Sequence, residues 1–130
     1  MLGIDFDETL SLSKGKELFP NNDLIDLLKE EDFVIITARK STELKMLEIV
    51  SFIKEHDLHP IDIIFTEGKA KGPFIKEYGI KKLVDDKEYQ RKSAKIYGAE
   101  AVSPEEFIES KQKIKRMSFF KNIFKIIKGA

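Results

Sequence analysis

Short apolar runs alternate with stretches of helical periodicity along most of the chain. Met1 to Phe6 is an apolar segment ending in acids, and Phe33 to Thr37 is an unbroken apolar run. Ile61 to Phe65, Lys82 to Val84 and Ala101–Val102 add three shorter segments. Continuous apolar runs of this length mark strands covered on both faces. Between them, Leu24, Ile25, Leu27 and Leu28 fall at helical spacing within Asp23 to Glu31, with Asn21 or Asn22 as N-cap and Phe19 placed as a staple. Thr42 to Asp57 repeats the pattern through Leu44, Leu47, Val50 and Ile53 (or Phe52). Pro73 to Tyr78 reads as a short helix that starts on proline and stops at Gly79, and Lys87 to Tyr97 as one stopped by Gly98. Ser103-Pro-Glu-Glu106 combines a serine cap, proline at the first helical position and a capping-box glutamate.

Strands alternating with helices predict an α/β fold: a Rossmann-like three-layer sandwich with a mainly parallel five-stranded sheet and right-handed crossovers. In such sheets the working residues gather beyond the carboxyl ends of the strands. Those ends carry Asp5 and Asp7, Thr37 with Arg39, Thr66, and Asp85 with Asp86, while Lys69 and Lys71 follow the strand that ends at Phe65. The pattern predicts one acidic cleft with a hydroxyl and a lysine.

Composition narrows the chemistry. The 130 residues suffice for one domain and contain no cysteine, which removes disulfides, thiolate metal sites and a thiol nucleophile. The two histidines, His56 and His59, are expected to meet the carbonyls at a helix end rather than to carry catalysis. No apolar run reaches the ~18 residues of a membrane span. Asp5 and Asp7 follow Met1 too closely for a leader peptide, so the expected location is cytoplasmic. Acids and bases balance at 23 each, yet the balance hides an asymmetry. Residues 1–110 hold 16 basic and 23 acidic side chains, a net charge of −7, and residues 111–130 hold seven basic ones and no acid. The expected organisation is therefore a core over 1–110 and a basic amphipathic helix over 111–130. In that helix Met117, Phe119, Phe120, Ile123, Phe124, Ile126 and Ile127 cover one side, and Lys121, Lys125 and Lys128 the other. It can pack on its own domain or a second copy, dock on a protein partner, or lie on an anionic membrane.

Two carboxylates two residues apart at a strand exit can face one pocket. Mg²⁺ takes an oxygen shell that combines one or two carboxylates with water and substrate phosphate. Asp5, the main-chain carbonyl of Asp7 and an acid from Asp85-Asp86 would supply part of it. A carboxylate can also attack phosphorus, and a second can protonate the leaving oxygen and then activate water. Asp5 and Asp7 fit those roles in that order.

These residues carry a resemblance. Asp5-Phe-Asp-Glu-Thr-Leu10 resembles the DxDx[TV] signature of the haloacid dehalogenase-like hydrolases, and Val34-Ile-Ile-Thr-Ala-Arg39 is similar to that superfamily's second motif. Lys71 (or Lys69) would stand for the third and Leu83-Val-Asp-Asp86 for the acidic fourth, all in the family's order between residues 5 and 86. The resemblance implies a small phosphatase acting through an aspartyl-phosphate on Asp5, with Asp7 as general acid/base. Mg²⁺ would be held by Asp5, the carbonyl of Asp7, Asp85 and Asp86. Thr37 and the lysine would bind the phosphoryl group, Arg39 would grip a second anionic group, and Thr9 would support the loop. The segments 10–21 and 38–70 leave room for a hairpin flap but no cap domain. An uncapped cleft suits a phosphorylated small molecule, a bulky macromolecular end, or closure by a second subunit in a homo-oligomer. A receiver domain uses similar residues in another order and needs a mid-chain acceptor aspartate, where this chain has Phe65-Thr66. The alternative from a different class is a non-catalytic adaptor that recruits a membrane or protein partner through its last helix.

Overall fold

In a computed structural model, which describes residues 1–129, the chain runs β1 (Leu2–Ile4), β2 (Ser11–Lys14), β3 (Glu17–Pro20), α1 (Asn22–Leu28), β4 (Phe33–Thr37), α2 (Glu43–Glu55), β5 (Ile63–Phe65), α3 (Gly72–Glu77), β6 (Lys82–Val84), α4 (Glu88–Ile96), β7 (Glu100–Val102) and α5 (Pro104–Gly129). Five strands form one parallel sheet in the order β5-β4-β1-β6-β7. The expected α/β sandwich is what forms.

Its layers follow from side-chain alternation along buried strands. Phe33 and Ile35 of β4 point to one face, where they meet Ile4, Val84, α1 through Leu24, Ile25 and Leu28, α2 through Ile49 and Phe52, and α5 through Phe107. Val34 and Ile36 point to the other, against Leu83, Ile75 of α3 and Ala94 of α4. The central strand β1 pairs with β4 on one side and β6 on the other. The chain leaves β1 toward β4 and returns to β6, so the order reverses at β1, and a crevice opens beyond the carboxyl ends of β1, β4 and β6. No cap is present among the described residues. The segment after β1 holds only the antiparallel β2–β3 hairpin.

The caps form as the residue types demand. Asn21 accepts from the N–H of Leu24, and Gly79 and Gly98 take positive φ just past α3 and α4. Ser103 and Glu106 bond each other's backbone N–H reciprocally, which closes the capping box of α5.

Several expectations fail in detail. Phe19 does not staple α1: it is exposed, and its neighbour Leu18 packs inward, because strand alternation in β3 decides which side chain turns to the core. In α2, Leu44, Leu47 and Val50 are exposed, whereas Phe52 is buried and Ile53 half-buried against the core as expected, and Ile49 joins them. That helix carries two apolar stripes, and the edge-to-face contact of Phe52 with Phe6, ring centroids 5.1 Å apart, seats the second stripe against the sheet. β5 starts at Ile63 rather than Ile61, although Ile61 and Asp62 still bond β4 through the Ile61 N–H to the Phe33 carbonyl at 2.8 Å and the Ile35 N–H to the Asp62 carbonyl at 3.0 Å. The two histidines also find other partners: the His56 ring packs 4.4 Å from Phe52, and His59 pairs with Asp57 at 2.9 Å. α5 runs unbroken from Pro104 through the expected boundary at 110/111, and Ala130, the last residue of the expected 111–130 helix, lies outside the described residues. Among the described residues no helix is long and apolar enough to cross a membrane.

Candidate active site

The loop after β1 is wound about one carbonyl. The Phe6 oxygen accepts from the N–H groups of Thr9, Leu10 and Ser11 and from the Ser11 hydroxyl. Glu8 is forced to φ 57 in this turn and stays exposed, where its carboxylate accepts from the Ser13 N–H and hydroxyl. A non-glycine residue at positive φ stores strain that the surrounding bonds must hold. The tight turn leaves Asp5 at the end of the central strand and returns Thr9 beneath it. The Thr9 hydroxyl lies 3.0 Å from Asp5 Oδ2 and 3.4 Å from Asp86 Oδ1.

Lys71 reaches the same point from the far side of the sheet. It is 1% exposed, and its Nζ donates to Asp5 Oδ1 at 2.6 Å and to Asp85 Oδ2 at 2.5 Å. Its backbone N–H is fixed by the buried side chain of Gln90 at 2.8 Å. At the next residue, Gly72, a Cβ would lie 2.7 Å from the Ser93 carbonyl, so only glycine lets the start of α3 come this close to α4. Lys69 is exposed, which leaves Lys71 as the lysine at the cleft.

Carboxylate oxygens of Asp5, Asp85 and Asp86 lie within 4.8 Å of one another. Burial holds the Asp5 carboxyl far above its ordinary 3.8, at about 7, with the Asp85 charge adding to the rise and Lys71 pulling against it. For Lys71, burial works against the charge, yet Asp5 and Asp85 outweigh it and raise the ammonium above its ordinary 10.5. Three clustered carboxylates with one ammonium among their partners leave negative charge to neutralise. An all-oxygen donor set with that excess fits a hard divalent cation such as Mg²⁺.

Asp7 is held differently. The Arg39 guanidinium grips it with Nε at 2.9 Å and Nη2 at 2.7 Å, bonds Glu48 at 2.7 Å, and lies 5.0 Å from the centre of the Phe6 ring. Arg39 thus spends its donors on two carboxylates of its own chain, and a substrate anion would have to displace one of them. Thr37 is fully buried, and its hydroxyl accepts from the Arg39 N–H at 3.2 Å. A cleft of about 40 Å³ is lined by Asp5, Asp7, Lys71 and Asp85 together with Ala38, Lys87, Tyr89 and Gln90. The structure therefore brings Asp5, Asp7, Lys71 and Asp85 to one cleft and Asp86 to its Asp5 edge, with Thr37 one residue behind the wall and Arg39 turned onto Asp7. Larger hollows lie elsewhere, by Leu28 to Phe33 and beside β5, but none of the charged side chains lining them is buried, as Asp5, Lys71 and Asp85 are.

Gln90, Glu48, Lys87 and Tyr89 were not legible as site residues. Only Gln90 left a trace: it sits four positions before Ala94 on the buried face of α4, a polar residue at a core position. No family model, characterised protein or solved structure matches this chain.

Proposed function

We propose that this chain is a divalent-cation-dependent phosphomonoester hydrolase of the haloacid dehalogenase-like type. The observation that carries the reading is the Asp5–Lys71–Asp85 bridge beside Asp86 at the sheet's topological switch point. An ion pair meant only for stability would gain little from a second carboxylate on one buried lysine and a third beside them. A phosphoryl-transfer site needs that arrangement, with one carboxylate to attack and others to hold a cation against phosphate.

Asp5, Asp85 and Asp86 would hold the cation, which when bound supplies positive charge against the phosphoryl oxygens. An Asp5 carboxylate oxygen attacks phosphorus and the bond from phosphorus to the ester oxygen breaks, giving an aspartyl-phosphate. The leaving oxygen takes its proton from Asp7. Asp7, now a carboxylate, takes a proton from water as that water attacks the phosphorus; the bond to Asp5 breaks, phosphate leaves, and both side chains return to their starting forms. Lys71 steadies Asp5, and Lys87 adds positive charge at the mouth of the cleft. Asp7 can exchange a proton only after Arg39 releases one of its oxygens, and Glu48 gives the guanidinium a second acceptor to keep. Thr37 serves by fixing the Arg39 backbone. A cytoplasmic setting belongs to the same reading, in keeping with a chain free of cysteine.

Hydrolysis of an aryl phosphate with Mg²⁺ tests the proposal. Wild type turns over, chelator abolishes turnover, and Asp7→Asn lowers it by about 10²–10⁴-fold. Full activity in Asp5→Asn would falsify the nucleophile.

A further inference from the structure

The last helix carries a face that the cleft does not explain. Pro104 and Phe107 are buried, and Ile108 and Lys111 are partly buried against the body, with Lys111 paired to Glu31 at 2.8 Å. From Gln112 to Lys128 every side chain but Ile123 is exposed, and Phe119, Phe120, Phe124, Ile126 and Ile127 are each 59% exposed or more. At about 100° per residue, the apolar residues between Met117 and Ile127 span an arc of roughly 180°, and no polar residue of that stretch falls inside it; Gln112, Lys113 and Arg116 do fall on that side, so the apolar face begins at Met117. The same spacing turns the centre of this arc about 140° away from the side on which Pro104, Phe107, Ile108 and Lys111 meet the body. A straight α5 cannot lay its apolar face on its own domain. What it turns toward the body's side is Ser118, Asn122 and Lys125.

We infer that residues 117–128 are an interfacial helical segment that binds an anionic lipid surface, with Lys113 and Arg116 ahead of it. Two features select lipid over a protein partner. A stripe that packs on one protein face is about 100° wide, whereas half the circumference suits a helix half-sunk in a bilayer interface. The other half carries Lys121, Lys125 and Lys128 and no acid, with Lys115 beside one border of the arc and Lys121 and Lys128 beside the other. Lysines at those borders reach up to headgroups while their stems stay apolar. Two copies paired through this face would bring like charges together along both flanks. The segment beyond Lys111 extends about 27 Å, so the acidic body, at −7 over residues 1–110, is joined at one end of the helix and need not lie on the lipid.

Flotation of the full-length chain with vesicles tests this, because bound protein rises with lipid while aggregates sink. On vesicles of equal parts phosphatidylcholine and phosphatidylglycerol the chain floats, and it floats far less on phosphatidylcholine alone. F120E/F124E lowers partition at least about tenfold, and each lysine removed in K121Q/K125Q lowers it about fivefold on the anionic vesicles only. These side chains are exposed, and circular dichroism melts matching wild type show that both variants fold. Failure of the wild type to float, or flotation indifferent to F120E/F124E, overturns the inference. So does a dimer in sedimentation velocity that F120E/F124E dissolves without any vesicle binding, which assigns the face to a second copy. The result stands or falls independently of phosphatase activity.

Discussion

Replacing Lys71 by methionine keeps most of the side chain's bulk and deletes its charge. In the native chain that ammonium serves Asp5 at 2.6 Å and Asp85 at 2.5 Å, so both lose their cation at once. Removing one partner of a buried ion pair costs about 3–5 kcal/mol. Two carboxylates are stranded here, but they can share a proton, which keeps the loss inside that range rather than doubling it. At roughly 3–5 °C per kcal/mol for a domain of this size, the melting temperature falls by about 10–20 °C. The pH dependence separates this cause from lost packing. In wild type the folded Lys71 pKa lies above its ordinary 10.5, so its contribution is fully present below that value and is lost only as pH rises through the folded one. In Lys71→Met the stranded carboxylates bind protons more tightly folded than unfolded, so stability falls as pH climbs, more steeply than the wild-type slope from Asp5 alone. Thermal melts in chelator at about pH 5 and about pH 8 therefore show a larger deficit at the higher pH. An equal deficit at both, or one under about 3 °C, refutes the electrostatic account.

Other consequences follow from single contacts. Asp5→Asn removes a carboxyl whose folded pKa is raised from 3.8 to about 7; ionising it costs stability as pH rises through that window, so in cation-free buffer the variant melts several degrees above wild type near pH 8 and shows no gain near pH 4. Arg39→Ala leaves Asp7 without the guanidinium that orients it while one oxygen is released, and so lowers kcat more than it raises KM; Arg39→Lys does not restore the rate because a point charge cannot reproduce the two-pronged grip. Gly72→Ala drives a methyl toward the Ser93 carbonyl and the Tyr97 ring and costs about 1–3 kcal/mol in denaturant titration, a loss that a double mutant with Tyr97→Ala relieves only in part.

What could be read from the residues divides along a physical line. β4 was legible because five consecutive buried positions admit no alternative to a strand covered on both faces, and the start of α5 because its capping box closes within four residues. Asp5, Asp7 and Asp85 were legible because a parallel sheet fixes which chain ends meet. The choice between Lys69 and Lys71 was not, since the two stand two positions apart in one loop and only the packing of α3 on α4 decides which is buried. The inner face of α2 was misread because both of its stripes are apolar, and hydropathy does not say which one Phe6 will meet. The Arg39–Asp7–Glu48 clamp left no trace in local sequence, as its partners come from a loop and a helix joined only by tertiary structure.

Chemical trapping at residue 5 tests most directly whether a carboxylate of this protein carries the phosphoryl group. Asp7→Asn enzyme, in which dephosphorylation of Asp5 is slowed, is mixed with an aryl phosphate and Mg²⁺, quenched and reduced with borohydride, then digested and sequenced by mass spectrometry. Reduction of an acyl phosphate on Asp5 yields homoserine at that position, in substrate-dependent amounts that chelator abolishes. Steady phosphate release by wild type with Asp5 unmodified in every sample, or homoserine at another aspartate, would contradict the assignment.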